Sequence, residues 1–203
     1  MDLHKKMCAR VSEMFLRFGI KSVSMDDISR DLGISKKTLY SLVQNKSALV
    51  SKILQGFMQE EHNQVAIIAE TAKDPIHELV LIAKHVIKML KKISPTTMYD
   101  LRKYYREEWR EMETARDAMI HANVKKNLLL GIREGLYRTD LDIELVTTLY
   151  LKMATYIIGE QILDVTKPKR ISLYIEFVKY HIRGIATTRG MKVLQKYDHL
   201  LNE

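Results

Sequence analysis

Cysteine is almost missing from this chain: Cys8 is the single one among 203 residues. One thiol closes no intrachain disulfide and builds no cysteine-based metal cluster, and nothing points to an oxidising compartment. Cys8 reads as a small core-facing residue. Proline (three) and glycine (eight) are also scarce, which excludes collagen-like and proline-rich disordered classes. Long apolar runs are lacking. The longest strictly aliphatic stretches, such as Leu79 to Ala83, hold five residues, whereas a membrane span needs about 20. The opening MDLHKKM has no apolar signal-peptide core. These absences lead us to expect a soluble, cytoplasmic protein without a membrane contact.

What is present is ordinary in amount and regular in spacing. The composition is 46% apolar and 29% charged, as in globular proteins, and the length suits one or two domains. Apolar residues recur at three and four, with no alternating strand pattern, so an all-α fold is expected. Leu3, Met7, Val11, Phe15 and Phe18 share one face of a first helix that Gly19 stops. Ser24, three residues before Asp27, starts a second helix with a capping box, and Ile28 and Leu32 face inward. Asp26 and Asp27 suit its positively polarised first turn. Gly33 breaks it, Ser35 caps a third helix, and Asn45 opens a fourth running to about Thr71. Pro75 and Pro95 punctuate the next segments. They predict a fifth helix over 76–93, a sixth ending before Trp109, and a seventh over 110–135. Residues 135–140 form a turn. Asp142 caps an eighth helix ending near 164, Pro168 begins a ninth reaching about 188, and a short tenth carries Leu194, Tyr197 and Leu201.

Helices eight and nine are apolar around most of their circumference. Leu145, Val146, Leu149, Leu151, Met153, Ile157, Ile158 and Ile162 mark the eighth. Ile171, Leu173, Tyr174, Ile175, Phe177, Val178, Tyr180, Ile182 and Ile185 mark the ninth. A helix of that kind buries two faces, one in its own domain and one against further helices or a second copy. We expect a two-fold homodimer packed as a four-helix bundle through these helices.

The segment with the clearest chemistry is the second and third helices, joined by Gly33, Ile34 and Ser35. That is the spacing of a helix-turn-helix. With Leu39, Leu42 and Val43 inward, Lys36, Lys37, Thr38, Tyr40 and Ser41 point outward as partners for phosphates and base edges. Charge follows the motif. The net charge is +8 overall; residues 1–52 hold ten basic and five acidic side chains, leaving +3 for the remaining 151 residues. Double-stranded DNA is the expected partner.

The stretch from Met14 to Val50 resembles the N-terminal domain of TetR-type transcriptional regulators. The likeness rests on Phe15 and Gly19, Ser24 with Ile28, the Gly33-Ile34-Ser35-Lys36 turn, Thr38-Leu39-Tyr40, and Lys46 with Leu49. Lys37 stands where the family usually has glycine or a small residue, and Val43 replaces a common phenylalanine. The 131–140 segment resembles, less specifically, the family's end of helix seven. The resemblance implies a helix-turn-helix domain over 1–48 and a helical effector-binding and dimerisation domain over 49–203. It also implies a homodimer on a palindromic operator, commonly a repressor released by a small molecule. By the same resemblance Tyr40, Lys46 and Ser24 contact the DNA backbone. Lys36, Lys37 and Thr38 are the candidates for base edges, by lysine to guanine and threonine methyl to thymine.

For an apolar or aromatic effector, Tyr105, Trp109 and Met112 at i, i+4 and i+7 are candidates, as are His85 and Met89; His121 and Tyr150 are weaker ones. A ligand beneath helix four would tilt it and change the spacing of the two recognition helices. An enzyme is not expected. The chain has no Glu-x-x-His pair for a di-metal bundle, Leu81 stands where a zinc protease motif needs its second histidine, and no phosphate-binding glycine loop is present. No cofactor or metal is expected. Alternatives on the same residues are a structural, nucleoid-associated DNA-binding protein, and a helical small-molecule binder without DNA function.

Overall fold

The structure, a computed structural model, describes residues 3–158 and 167–201. Among them it has ten α-helices and a closing 3-10 turn. These are α1 (Leu3–Phe18), α2 (Met25–Asp31), α3 (Lys36–Leu42), α4 (Lys46–Thr71), α5 (Pro75–Lys92), α6 (Pro95–Tyr104), α7 (Arg106–Arg133), α8 (Ile143–Ile158), α9 (Lys167–Ile185), α10 (Thr188–Tyr197) and the 3-10 turn Asp198–Leu201. The fold is all-α, with one isolated antiparallel bridge between Tyr137 and Ala186. Ile162 and the expected end of α8 near 164 lie outside the described residues.

Local signals account for most helix ends. Ser24 and Asp27 form the reciprocal capping box of α2. Ser35 accepts from the Thr38 amide at the start of α3, Asn45 from the Ala48 amide before α4, and Asp142 from the Leu145 amide before α8. Each cap satisfies an amide that the helix leaves unbonded. Pro75 and Pro95 open α5 and α6, where a missing N–H is harmless. The break between α6 and α7 differs from expectation: α7 begins at Arg106, four residues early. Tyr105 leaves helical geometry (φ −128°, ψ 53°) while its amide still bonds the Leu101 carbonyl. Its ring is buried there, so packing sets the kink where no glycine or proline announces it.

The chain forms two compact units. The first comprises Met1–His62 and Ile93–Arg116, so α6 and the start of α7 belong with α1–α3. Its core gathers Met7, Val11, Phe15, Ile20, Ile28, Leu39, Val43 and Leu49 with Leu101, Tyr105, Trp109 and Met112. Phe18, expected on the inward face of α1, is 52% exposed with the Arg17 guanidinium over its ring. The chain reverses at Gly19 (φ 81°), and Ile20 enters the core instead.

The second unit comprises Asn63–Lys92 and Asp117–Glu203. In it α9 packs on α5 and α8, and α10 and the 3-10 turn pack on α5. Its core contains a satisfied polar cluster. Asn127 Nδ2 donates to the Pro75 carbonyl (2.9 Å) and to Glu78 (2.7 Å), and the Tyr137 hydroxyl donates to Asn127 Oδ1 (3.0 Å). Burial would be costly for each group alone. Tyr137 lies so close to α7 that a Cβ on Gly131 would sit 2.0 Å from its ring. That glycine is required by the contact.

Candidate nucleic-acid interface

The interface begins at the turn between α2 and α3. Gly33 takes φ 65°, a conformation that side chains disfavour. The amide of Ile34 then bonds back to the Ser29 carbonyl (3.0 Å), turning the chain sharply. With Leu39 fully buried and Val43 nearly so, the opposite side of α3 must face out. Lys36, Lys37, Thr38, Tyr40 and Ser41 are all exposed, and Tyr40 is 50% accessible. The structure brings these five side chains together on one polar face.

Their present partners differ. Lys36 pairs with Asp26 of α2 (2.6 Å); an exposed pair of this kind is worth about 0–1 kcal/mol, so it opens readily for another anion. The Thr38 hydroxyl is within 2.8 Å of Ser35 Oγ, and Ser41 donates to the Thr38 carbonyl (2.7 Å). Ser24 lies at the α2 end, where its oxygen caps the helix and hydrogen bonds from Ser24 hold the Asp27 carboxyl below its usual range. Lys46 does not join the outward face. It is half-buried and donates to the Ile20 carbonyl. Burial pushes its ammonium pKa down, while Asp100 and Asp27 act the other way. In this conformation Lys46 braces the α1–α2 loop.

Sequence reasoning missed the braces from α6. The Thr97 hydroxyl donates to the Phe15 carbonyl (2.7 Å), and buried Asp100 accepts from the Lys21 amide (2.8 Å). Lys21 also donates to the Tyr104 hydroxyl (3.0 Å). Arg10 clamps Asp31 through two bonds of 2.7 and 2.9 Å, joining α1 to α2. These pairs are up to 83 residues apart, and no local pattern marks them.

The effector candidates are not brought together. Tyr105, Trp109 and Met112 lie in the core of the first unit. His85 and Met89 lie on α5 in the second unit, Met89 packed against its core. Tyr150 is buried there against Phe177 and His181, and His121 lies 3.6 Å from Glu144. The spacing of i, i+4 and i+7 marks a shared face, and here that face fills the first unit's core.

No family model and no curated protein matches the chain in sequence. Solved structures match it in shape. A TetR transcription regulator from Haloarcula marismortui superposes with a TM-score of 0.76 at 15% identity, over 91% of this chain and 98% of that one. A transcriptional regulator from Cytophaga hutchinsonii gives 0.72 at 15% identity, over 90% and 98%. The TetR-family protein CprB from S. coelicolor A3(2) gives 0.66 at 16% identity over the whole of both chains. With a helix-turn-helix in one unit and a helical second unit, the chain has the all-α fold of TetR/AcrR-family transcriptional regulators.

Proposed function

We propose that the protein is a homodimeric, ligand-responsive transcriptional regulator, a repressor released from a palindromic operator by a small molecule. The observation that carries this reading is the outward face of α3, where two lysines, a threonine and a tyrosine stand exposed on a glycine-turned helix pair. Lys37 and Lys36 reach base edges, Tyr40 and Ser24 contact phosphates, and Lys46 swings from the Ile20 carbonyl to a phosphate on binding. A dimer presents two such helices to successive major grooves, roughly 34–36 Å apart.

The dimer reading rests on α8 and α9. Leu145, Leu149, Met153 and Tyr156 form a stripe at i, i+4, i+8 and i+11 of α8, with Leu145 63% and Leu149 65% exposed; Tyr180 of α9 is 79% exposed. An apolar stripe of this length is the surface a second copy covers in a helical bundle. The effector acts in the second unit, and α4 and α7, which run from one unit into the other, carry its effect. A coupling of about 1–3 kcal/mol changes DNA affinity some 5- to 150-fold.

Genome-wide footprinting with purified protein tests the reading. The expected result is protection of one or a few palindromes near promoters. Coating of many unrelated sites identifies a structural DNA-binding protein instead, and no protection at all contradicts DNA binding.

A further inference from the structure

A second cationic feature of the first unit lies on α6 and the α1–α2 loop, outside the face of α3. Lys21 of the loop donates to the Tyr104 hydroxyl (3.0 Å) and stands 4.4 Å from the centre of its ring. Lys103 donates to the Tyr99 hydroxyl (2.6 Å) and lies 5.5 Å from the Tyr104 ring. Two ammonium groups thus share one aromatic ring, and the two tyrosines meet edge-on at 6.5 Å. All four residues are exposed. Neither ammonium pairs with a carboxylate among the described residues. Asp100 accepts from the Lys21 amide instead.

A ring attracts a cation to its face, and the end of α6 favours Lys103. Neither effect asks for a second ammonium at the same ring, where like charges repel. Nor is the cluster needed as a staple. Lys103 and Tyr99 sit one turn apart on the same helix, and the loop is already tied by Asp100 and by Lys46. The hydrogen-bond inventory shows what would complete the array. Each phenol oxygen accepts from a lysine, so its own O–H remains to donate; an ammonium has three N–H donors and accepts nothing. The hydrogen bond from Lys21 holds the Tyr104 phenol below its usual range, which makes it a stronger donor. The array offers donors and positive charge, and its complement is an oxyanion.

Position selects the oxyanion. Tyr99 is 55% and Tyr104 41% exposed, so a single small anion would stay largely in water. Phosphates on a duplex already held at α3 arrive at high effective concentration. Lys21 stands three residues from Ser24, at most about 11 Å along the chain, and its carbonyl is 3.5 Å from Lys46 Nζ. Ser24 and Lys46 are phosphate contacts in the proposed complex. Duplex DNA carries one charge for about every 1.7 Å of its axis, so a backbone meeting those two has further phosphates at this distance. We propose that Lys21, Lys103, Tyr99 and Tyr104 form a backbone-phosphate site that extends the DNA interface from α3 onto α6. It adds affinity and reads no base. The site rests on the regulator reading and adds to it a contact from outside the helix-turn-helix.

Fluorescence anisotropy over a series of salt concentrations tests it. The full chain is titrated onto a duplex carrying the footprinted palindrome and one helical turn of flanking sequence on each side. In Lys21→Gln/Lys103→Gln the slope of log affinity against log salt should become shallower by about 0.9 for each phosphate lost, about two per subunit. Affinity for the palindrome and for its single-base variants should fall by one common factor, with the melting temperature unchanged. Tyr99→Phe/Tyr104→Phe keeps both rings and both charges, and should weaken the duplex at an unchanged slope. Lys192→Gln, on the exposed side of α10, should change neither. A wild-type slope in the lysine variant, or wild-type affinity in the tyrosine variant, overturns the site while Lys37-dependent palindrome binding upholds the regulator reading. Saturable binding of inorganic phosphate in calorimetry, with the DNA slope unmoved by the lysine variant, identifies a site for free anions and overturns it too. A wild-type chain that binds no palindrome overturns the regulator reading, and this site with it.

Discussion

The two units place charge and grease in opposite ways. The first presents a cationic, polar face on the outward side of α3 and uses its buried Thr97 and Asp100 singly, each on a backbone group of the segment around Gly19. The second buries a polar cluster of Glu78, Asn127 and Tyr137 and exposes leucines along α8. Neither departure is needed for a helical core. An exposed cationic face suits a polyanion, and an exposed aliphatic stripe suits a like stripe. On the proposed function, that contrast is a division of labour, with DNA recognition in one unit and self-association in the other.

The strongest way to break that division is to place a charge on the stripe. Leu149→Glu is expected to turn the dimer into a folded monomer by analytical ultracentrifugation at micromolar concentration. DNA affinity should fall about 100-fold or more, since two linked half-site contacts exceed either alone by that order. An unchanged dimer would move the interface off α8.

The second prediction concerns His181, which burial pushes down to about 4 from its ordinary 6.5. Its Nε2 is buried without a hydrogen-bond partner, and its ring meets Tyr150 edge-on (4.7 Å). A histidine kept neutral in the fold contributes stability that is present above pH 6.5. That contribution is lost as pH falls from 6.5 towards 4, because the unfolded chain takes up the proton first. The loss is about 3 kcal/mol at one pKa unit per 1.36 kcal/mol. Denaturant melts at pH 7 and pH 4.5 should show it, and His181→Leu should flatten the difference; equal pH dependence in the variant contradicts the assignment.

The smallest effect belongs to the first unit. Ser24→Ala removes the α2 cap and should cost about 1 kcal/mol in denaturant unfolding, with α3 and its outward face preserved. A loss within error would mean that Asp27 and the loop hold α2 without it.

How much was legible in the sequence follows the range of each interaction. Ser24 with Asp27, Ser35, Asn45 and Asp142 act within three residues of themselves, and Gly33 turns the chain where it stands. The outward row on α3 follows from helical period once Leu39 is buried. The kink at Tyr105 has no such marker, because long-range packing makes it. The same is true of Tyr105, Trp109 and Met112, whose spacing is alike for a core face and a pocket face. Lys46 shows a further limit. Its charge is plain in the sequence, but only the fold shows that it meets the Ile20 carbonyl.

The central claim is that the face of α3 carrying Lys37 enters DNA. Fluorescence anisotropy with the footprinted palindrome and its single-base variants, for wild type and Lys37→Ala at one fixed salt concentration, tests it most directly. The account predicts that the substitution weakens the palindrome by about 1–3 kcal/mol and removes discrimination at one base pair in each half-site. Wild-type affinity and discrimination in Lys37→Ala would contradict it.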